Sequence, residues 1–262
     1  RALDAGCKIY IVGTEFERSK ASAAFWWNFS WCCRRVRQIS EYERLRLIHS
    51  HFIWLDPLAL YARTLNKETE AVLSMRVSLA AGRADRAHGA GRARLTNPFV
   101  DRIVGNSQGV LRDAWREERF AREKGVMIPN GIDVELYRDI DPAQAYEEYP
   151  ELKNSELVVG IVAGIRREKR HDVFLKAFSI LRDQVPNAKA LIVGGDRGTE
   201  KETHDLAREL GLGDSAIFTG QKENPLPYLA AMDVPVLSSD MEGMPNAVLE
   251  GMAAGKACVS TR

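Results

Sequence analysis

The sequence predicts an α/β protein built as two Rossmann-like parallel-sheet domains. Three observations predict it. Strand-like apolar runs alternate with helix-like amphipathic runs over residues 8–138 and again over 157–262, the rhythm of a parallel sheet with helical crossovers. Between them, "RDIDPAQAYEEYPELKNSE" is polar and punctuated by proline, which marks 139–156 as a linker. The net charge of +1 also conceals halves of opposite sign: residues 1–138 carry 23 Lys+Arg against 16 Asp+Glu, and the remainder carries 14 against 20. Such halves suit two domains facing across a cleft, although ordinary surface variation gives the same contrast.

The elements follow in order. "RALDAGCKIYIVG" reads as a helix end, a stop at Gly6 and a strand over 8–12. "FWWNFSWCCRRVRQ" sets aromatics beside cations, as in a helix lying on a membrane surface or holding a lipid-linked acceptor; a buried helix with one basic face fits as well. "RLRLIHSHF" is a short strand with His49 and His51 on one side of its end. "ETEAVLSMRVS" and "VDRIVGNSQGV" supply two more strands, the second with Asn106 and Ser107 at its carboxyl end. Residues 82–94, rich in Ala, Arg and Gly without a period, read as a mobile loop. A helix over "GVLRDAWREERFAREKG" closes at Gly125, ahead of a strand in "VMIPNGID", where Asn130-Gly131 is a turn pair.

Beyond the linker a strand over 157–163 leads through the basic loop "GIRREKRH" into the helix "DVFLKAFSILRDQ". The strand "AKALIVGG", the helix "EKETHDLAREL" stopped by Gly211, the strand "SAIFTG", the helix "PLPYLAAM" and the strand "DVPVLSS" come next. This is half of a doubly wound fold, in which ligands sit at the carboxyl ends of the strands.

Chemistry concentrates in "EGMPNAVLEGMAAGK", residues 242–256. Glu242 lies in a glycine-bearing loop and Glu250 inside the helix that follows. Pro245 suits the first helical position and Gly255 the terminating turn. Val248, Leu249 and Met252 share one face, while Asn246 and Glu250 project elsewhere. Free N–H groups at the helix start, flanked by two carboxylates, suit a phosphate-linked sugar: donors for phosphate, acceptors for hydroxyls. By spacing alone, Glu250 equally fits a solvated helix residue. Upstream, the basic loop 164–171 at a strand end is a cradle for a diphosphate, or else a solvated Lys/Arg cluster.

The stretch "MDVPVLSSDMEGMPNAVLEGMAAGKACVS" resembles the donor-site signature of retaining glycosyltransferases of family 4, and "VMIPNGIDVELYR" resembles a second marker of that family. The resemblance is dense over 126–138 and 158–260 and diffuse over 1–100. It implies a GT-B fold, with 1–138 as the acceptor-side domain and 157–262 as the donor-binding domain, both incomplete because the chain looks truncated at each end. It further implies a hexosyltransferase-class enzyme moving a sugar from a nucleotide diphosphate sugar to a hydroxyl acceptor (a glycan, a small molecule or a lipid-linked group). No cofactor or metal is implied, the nucleotide sugar being a co-substrate.

Carried over by position, Glu242 would meet the donor sugar and Glu250 the ribose. Gly243, Met244, Pro245 and Asn246 would line the diphosphate, Lys169 would neutralise it, and His51 would face the sugar. Relatives often place arginine or asparagine where this chain has Gly164, so Arg166 is expected to supply that contact from nearby. A sugar-nucleotide epimerase of GT-B fold and a non-catalytic nucleotide-binding relative are the alternatives, and the truncated chain itself is expected to be slow or inactive.

Partners other than the sugar donor are bounded by composition. The balanced charge argues against nucleic acid, while the basic amino-terminal half suits peripheral membrane contact. Cys7, Cys32, Cys33 and Cys258 show no metal spacing and suit a reducing compartment, and no run is apolar enough to span a bilayer or to act as a signal peptide. A cytoplasmic place, at the inner face of the membrane, follows as the expectation.

Overall fold

The structure is a computed structural model that describes residues 23–51, 56–65, 68–75, 97–116 and 119–261. Gly6, Cys7, the strand expected at 8–12 and the loop expected at 82–94 lie outside the described residues. The chain forms two compact units, Arg1–Pro129 and Asn130–Arg262.

In the first unit, helix α1 (Ala23–Glu43) is followed by β1 (Leu47–Ser50), α2 (Asp56–Leu65), β2 (Glu70–Met75), β3 (Arg102–Gly105), α3 (Gln108–Arg116) and β4 (Gly125–Met127). The four strands pair in parallel in the order β1-β2-β3-β4. Leu60, Leu73, Ile103 and Leu111 from four of these elements meet in one core with Phe120. Helix α1 buries Cys32 and Ser40 and exposes Trp31, Arg34, Arg35 and Arg37, so over its described side chains it is a packed helix with one basic face. Among the described residues no helix is long and apolar enough to cross a membrane.

Helix α3 starts where Ser107 accepts a hydrogen bond from the Val110 N–H at 3.2 Å, a side-chain cap that satisfies one of the orphan donors of the first turn. It ends at Arg116, well short of the expected stop at Gly125. Arg119 adopts a left-handed φ of 55°, and the Phe120 N–H returns to the Ala114 carbonyl, which drives the Phe120 ring into the core. Burying that ring outweighs two further turns of polar helix.

The second unit carries α4 (Ala143–Glu148), β5 (Leu157–Val162), α5 (His171–Gln184), β6 (Ala188–Val193), α6 (Glu200–Glu209), β7 (Ala216–Gly220), α7 (Leu226–Ala231), β8 (Val234–Leu237), α8 (Asn246–Ala253) and β9 (Val259–Ser260). Its strands run parallel in the order β7-β6-β5-β8-β9. Alternation splits the inner strands between two cores. Val159, Ile161, Ala190 and Ile192 pack with Phe174, Leu175 and Phe178 of α5 and Ala207 of α6. Val158, Leu191 and Val193 pack with Tyr228 and Leu229 of α7 and Met232. Both faces are covered, which is why these strands read as continuous apolar runs.

The boundary between the units falls at Pro129, ahead of the Arg138 boundary read from sequence, and 139–156 is packed structure. Ala145 and Leu152 are buried with the α7 side chains, and Tyr137, Tyr146 and Tyr149 pack against them. Proline and charge suggested a linker, but the tyrosines and alanine carry enough apolar surface to dock it.

At the end of β6 the backbone passes very close to the end of β5. A Cβ added to Gly194 would lie 2.0 Å from the Ala163 carbonyl oxygen, a clash with backbone that no rotamer relieves. Gly194→Ala is therefore expected to destabilise the second unit by about 2–3 kcal/mol. Thermal melting checks this, and an unchanged midpoint would show that the two strand ends separate freely.

Candidate functional site

The site assembles at the carboxyl ends of β5 and β8. After β5 the chain passes Gly164, buries Ile165, turns once through Arg167–Lys169 and reaches Arg170 in a left-handed conformation, φ 50°. Three contacts fasten this loop to the residues after β8. Ser238 Oγ donates to the carbonyl oxygens of Lys169 at 2.8 Å and Arg170 at 2.9 Å, sharing one proton. The Asp240 N–H donates to the Glu168 carbonyl at 3.0 Å. The Arg170 guanidinium bridges Asp172 at 2.9 Å and both oxygens of Asp240 at 2.8 and 3.0 Å. The neighbouring carboxylates offset the left-handed backbone of Arg170, which costs a non-glycine residue on the order of 1–2 kcal/mol.

So fastened, the loop sets Lys169 Nζ 2.5 Å from Glu242 Oε1. Their side chains are only 16% and 26% exposed, which makes this a partly desolvated pair of the kind that is costly to break on one side. Two of the sequence-predicted residues are thus brought together, although they lie 73 positions apart.

Helix α8 begins one position later than expected. Pro245 has an extended ψ of 114° and stands before the helix, and Asn246 is the first helical residue. Leu249 is the first residue whose N–H bonds back along the helix, to the Pro245 carbonyl at 3.3 Å, which leaves the N–H groups before it to other acceptors. The expected apolar face is also corrected. Met252 is 62% exposed, and the buried residue is Gly251, where a Cβ would come within 2.6 Å of the Cys258 sulfur. The helix lies on Pro235 and Cys258 so closely that only glycine fits, a signal that hydrophobic periodicity does not carry.

Glu250 is half-buried on α8, the helix against which the short turn Val134–Tyr137 packs. Burial holds this carboxyl above the usual glutamate range, and the influence of the nearby Tyr137 opposes that rise. Asn130, read as a turn residue, has a second part to play. Its side-chain amide donates to the Met244 carbonyl at 3.1 Å and to Asn246 Oδ1 at 2.7 Å, and its N–H points at the Met244 sulfur at 3.2 Å. Gly243 continues the same loop between Glu242 and Met244.

Other expected residues stand apart from this cluster. A Cβ on Gly164 would meet the Arg197 stem at 3.0 Å. Arg166 is about half exposed and reaches Glu168 at 4.0 Å. With Arg167, Arg170, His171, Thr203 and Asp240 it lines an open cavity of about 430 Å³, in whose walls Lys169 and Glu242 take no part. His51 belongs to the first unit, one residue beyond the end of β1, with its ring 4.2 Å from that of His49. His49 Nε2 is 2.6 Å from Ser74 Oγ, and burial and then the His51 charge push its pKa down.

Sequence reading missed His171. It is 3% exposed and neither ring nitrogen has a hydrogen-bond partner. Burial pushes its pKa down to about 4, aided by the nearby Lys169 charge and opposed by the Ala163 carbonyl. It hid in a run of charged residues that reads as a solvated helix start.

Comparison with known proteins assigns the chain. Residues 8–136 match the family described as Glycosyltransferase Family 4, and residues 144–262 match Glycosyl transferases group 1. The chain belongs to glycosyltransferase family 4. Among family relatives, the N-acetyl-alpha-D-glucosaminyl L-malate synthase of Bacillus anthracis is 33% identical over 136 residues, covering 52% of this chain and 35% of that protein. The uncharacterized glycosyltransferase MJ1059 of Methanocaldococcus jannaschii is 24% identical over 163 residues, 62% of this chain and 40% of that one. The chain therefore spans about two fifths of the length of these relatives. Anabaena Alr3699/HepE, solved in complex with UDP and with UDP-glucose, superposes with a TM-score of 0.76 at 22% identity, covering 87% of this chain and 62% of HepE. The family 4 fold is GT-B, with two parallel-sheet sets, as the resemblance implied.

Proposed function

We propose that this family 4 chain serves a retaining glycosyltransferase, moving a sugar from a nucleotide diphosphate sugar to a hydroxyl acceptor without a metal. The observation that carries the reading is the partly buried Lys169–Glu242 pair beside the start of α8. Lys169 and the free N–H groups at the helix start offer positive charge to a diphosphate that gains charge as it leaves. Glu242 accepts from hydroxyls of the donor sugar, and Glu250 accepts from the ribose. The bond from the anomeric carbon to the diphosphate oxygen breaks while a bond to the acceptor oxygen forms on the same face. The acceptor proton passes to the departing phosphate. The UDP and UDP-glucose bound by HepE support a nucleotide-sugar partner. Exposed Trp31, Arg34, Arg35 and Arg37 on α1 support a peripheral membrane contact near a lipid-linked acceptor.

A donor labelled in the sugar tests the reading. Transfer with the anomeric configuration kept is the expected product; an epimerised sugar, or a donor bound and returned intact, would overturn it. Glu250→Ala is expected to weaken nucleotide binding by about 1.5–3 kcal/mol, the worth of a hydrogen bond to a charged acceptor. Calorimetry with the free nucleotide measures that loss, and an unchanged affinity would remove Glu250 from the ribose pocket.

A further inference from the structure

The open cavity of about 430 Å³ lies wholly within the second unit, and its size suits a small molecule. Most of its wall comes from the loop after β5 and from the starts of α5 and α6. Both helices pack on the sheet face that carries Val159 and Ile161. Ala254, at the end of α8, packs with the core on the other face, which carries Val158. The cavity is thus set apart from the helix that bears Glu250.

Several of its charged groups are already engaged with one another. Arg170 is held by Asp172 and by both oxygens of Asp240. Arg166 is about half exposed and stands 4.0 Å from Glu168, beyond hydrogen-bond reach. The start of α5 lies beside it. No side chain caps this 14-residue helix, and Val173 is the first residue whose N–H bonds back, to the Arg170 carbonyl at 3.0 Å. The N–H groups of His171 and Asp172 are left to other acceptors. At α6 the equivalent place is filled, because Asp196 accepts from the N–H groups of Gly198 at 2.7 Å and Glu200 at 3.2 Å. An uncapped helix start next to the Arg166 guanidinium attracts an anion.

His171 asks for more than an anion. It lines the cavity, it is 3% exposed, and neither ring nitrogen has a hydrogen-bond partner among the described residues. A buried imidazole is costly to leave unpaired, and a hydroxyl entering from the cavity satisfies it in either tautomer, as donor or as acceptor. Thr199 and Glu202 line the same space and offer further partners for hydroxyls, while Leu206 offers an apolar patch for the C–H face of a sugar ring. Among the described residues no Phe, Tyr or Trp takes part in the wall, so a nucleobase would find no such ring to stack on.

We propose that this cavity is a small-molecule site apart from the donor pocket, and that it takes a sugar monophosphate. The phosphate lies against Arg166 and the start of α5, and the hydroxyls meet His171 and Glu202. The inference goes beyond the donor reading and does not depend on it, because neither Lys169 nor Glu242 lines the cavity.

Calorimetry on the 262-residue chain tests this with glucose 6-phosphate, glucose 1-phosphate, inorganic phosphate and glucose. A sugar phosphate is expected to bind at least about tenfold more tightly than phosphate or glucose alone, since each half supplies its own hydrogen bonds. Arg166→Ala should weaken it about tenfold, the scale of a charge-assisted hydrogen bond, and His171→Phe about fivefold, that of a neutral one. In the unaltered chain the assigned imidazole resonance of His171 should move as the sugar phosphate is added, a readout that needs no variant to fold. Phosphate alone or glucose alone binding as tightly as the sugar phosphates would overturn the proposal, as would no binding at millimolar concentration. Displacement of the sugar phosphate by UDP or GDP would overturn it too, by making the cavity a lobe of the donor site. Sugar-phosphate binding by a chain that binds no nucleotide would instead overturn the donor reading and support the separate site.

Discussion

Lys169→Ala is expected to cut kcat by about 10²- to 10³-fold, the cost of removing one group aimed at developing charge. KM should move far less, because the charge that Lys169 offsets grows mainly in the transition state. The pairing with Glu242 adds a second expectation. Without Lys169, Glu242 is a partly buried carboxylate with no cation, facing an anionic donor. Lys169→Ala combined with Glu242→Gln should therefore bind donor better than Lys169→Ala alone. Arg167→Ala, at an exposed position, is the suitable control and should stay within about threefold, as surface changes do. Arg170 is unsuitable, because it clamps Asp172 and Asp240. Steady-state kinetics on the three variants decide the matter: equal, small losses for Lys169→Ala and Arg167→Ala would make the basic loop a solvated cluster after all.

His171→Phe is expected to make the second unit more resistant to acid. The folded-state pKa of His171, about 4, lies below the ordinary value of 6.5, so the unfolded chain takes up the proton first. Stability is then complete above pH 6.5 and is lost as pH falls towards 4, by about 3 kcal/mol at 1.36 kcal/mol per unit. Phenylalanine removes this loss. It also removes two buried nitrogens that have no hydrogen bond, so it should cost little at neutral pH. The carboxylates act in a different window. Glu148 is held down to about 2 by its hydrogen bonds to Lys222 and Tyr228, so its contribution is lost only as pH falls below the ordinary 4.5. His49 acts in the same direction as His171 but in the first unit. Denaturation at pH 7 and pH 5, followed for the chain and for His171→Phe, checks the prediction; parallel losses in both would exclude His171 as the cause.

Both sheets were legible because buried parallel strands leave short apolar runs such as "LVVGIV" and "AKALIV". Helix α6 was legible to within one residue of its end, since Gly211 takes the left-handed φ of 62° that the stop required. The end of α3 and the seat of α8 were harder. Phe120 ends α3 by burying its ring, and Gly251 beds α8 on Cys258; both depend on partners distant in sequence. The site followed the same division. Glu242, Glu250 and Lys169 were singled out by the resemblance of their motifs to the family's, spacing alone leaving them open, whereas Asn130, Ser238, Arg170 and Asp240 act through contacts that periodicity does not encode. Asn130 was hidden behind an equally good explanation, the turn it makes with Gly131.

The central strand of the second sheet has a consequence for how the molecule comes into being. Strand β5 is joined on one side to β6, the next strand along the chain, but on the other to β8, and the Asp233 carboxylate that receives the Val158 N–H is 75 residues away. Closing so long a loop is entropically costly and slow, so the β5–β6–β7 segment is expected to set first and β8 to insert later. The loop bearing Glu242 and the helix bearing Glu250 follow β8 in the chain, and so does β9. The nucleotide binding proposed above is therefore expected to be the last property to emerge during refolding, in a phase later than the bulk of the secondary structure.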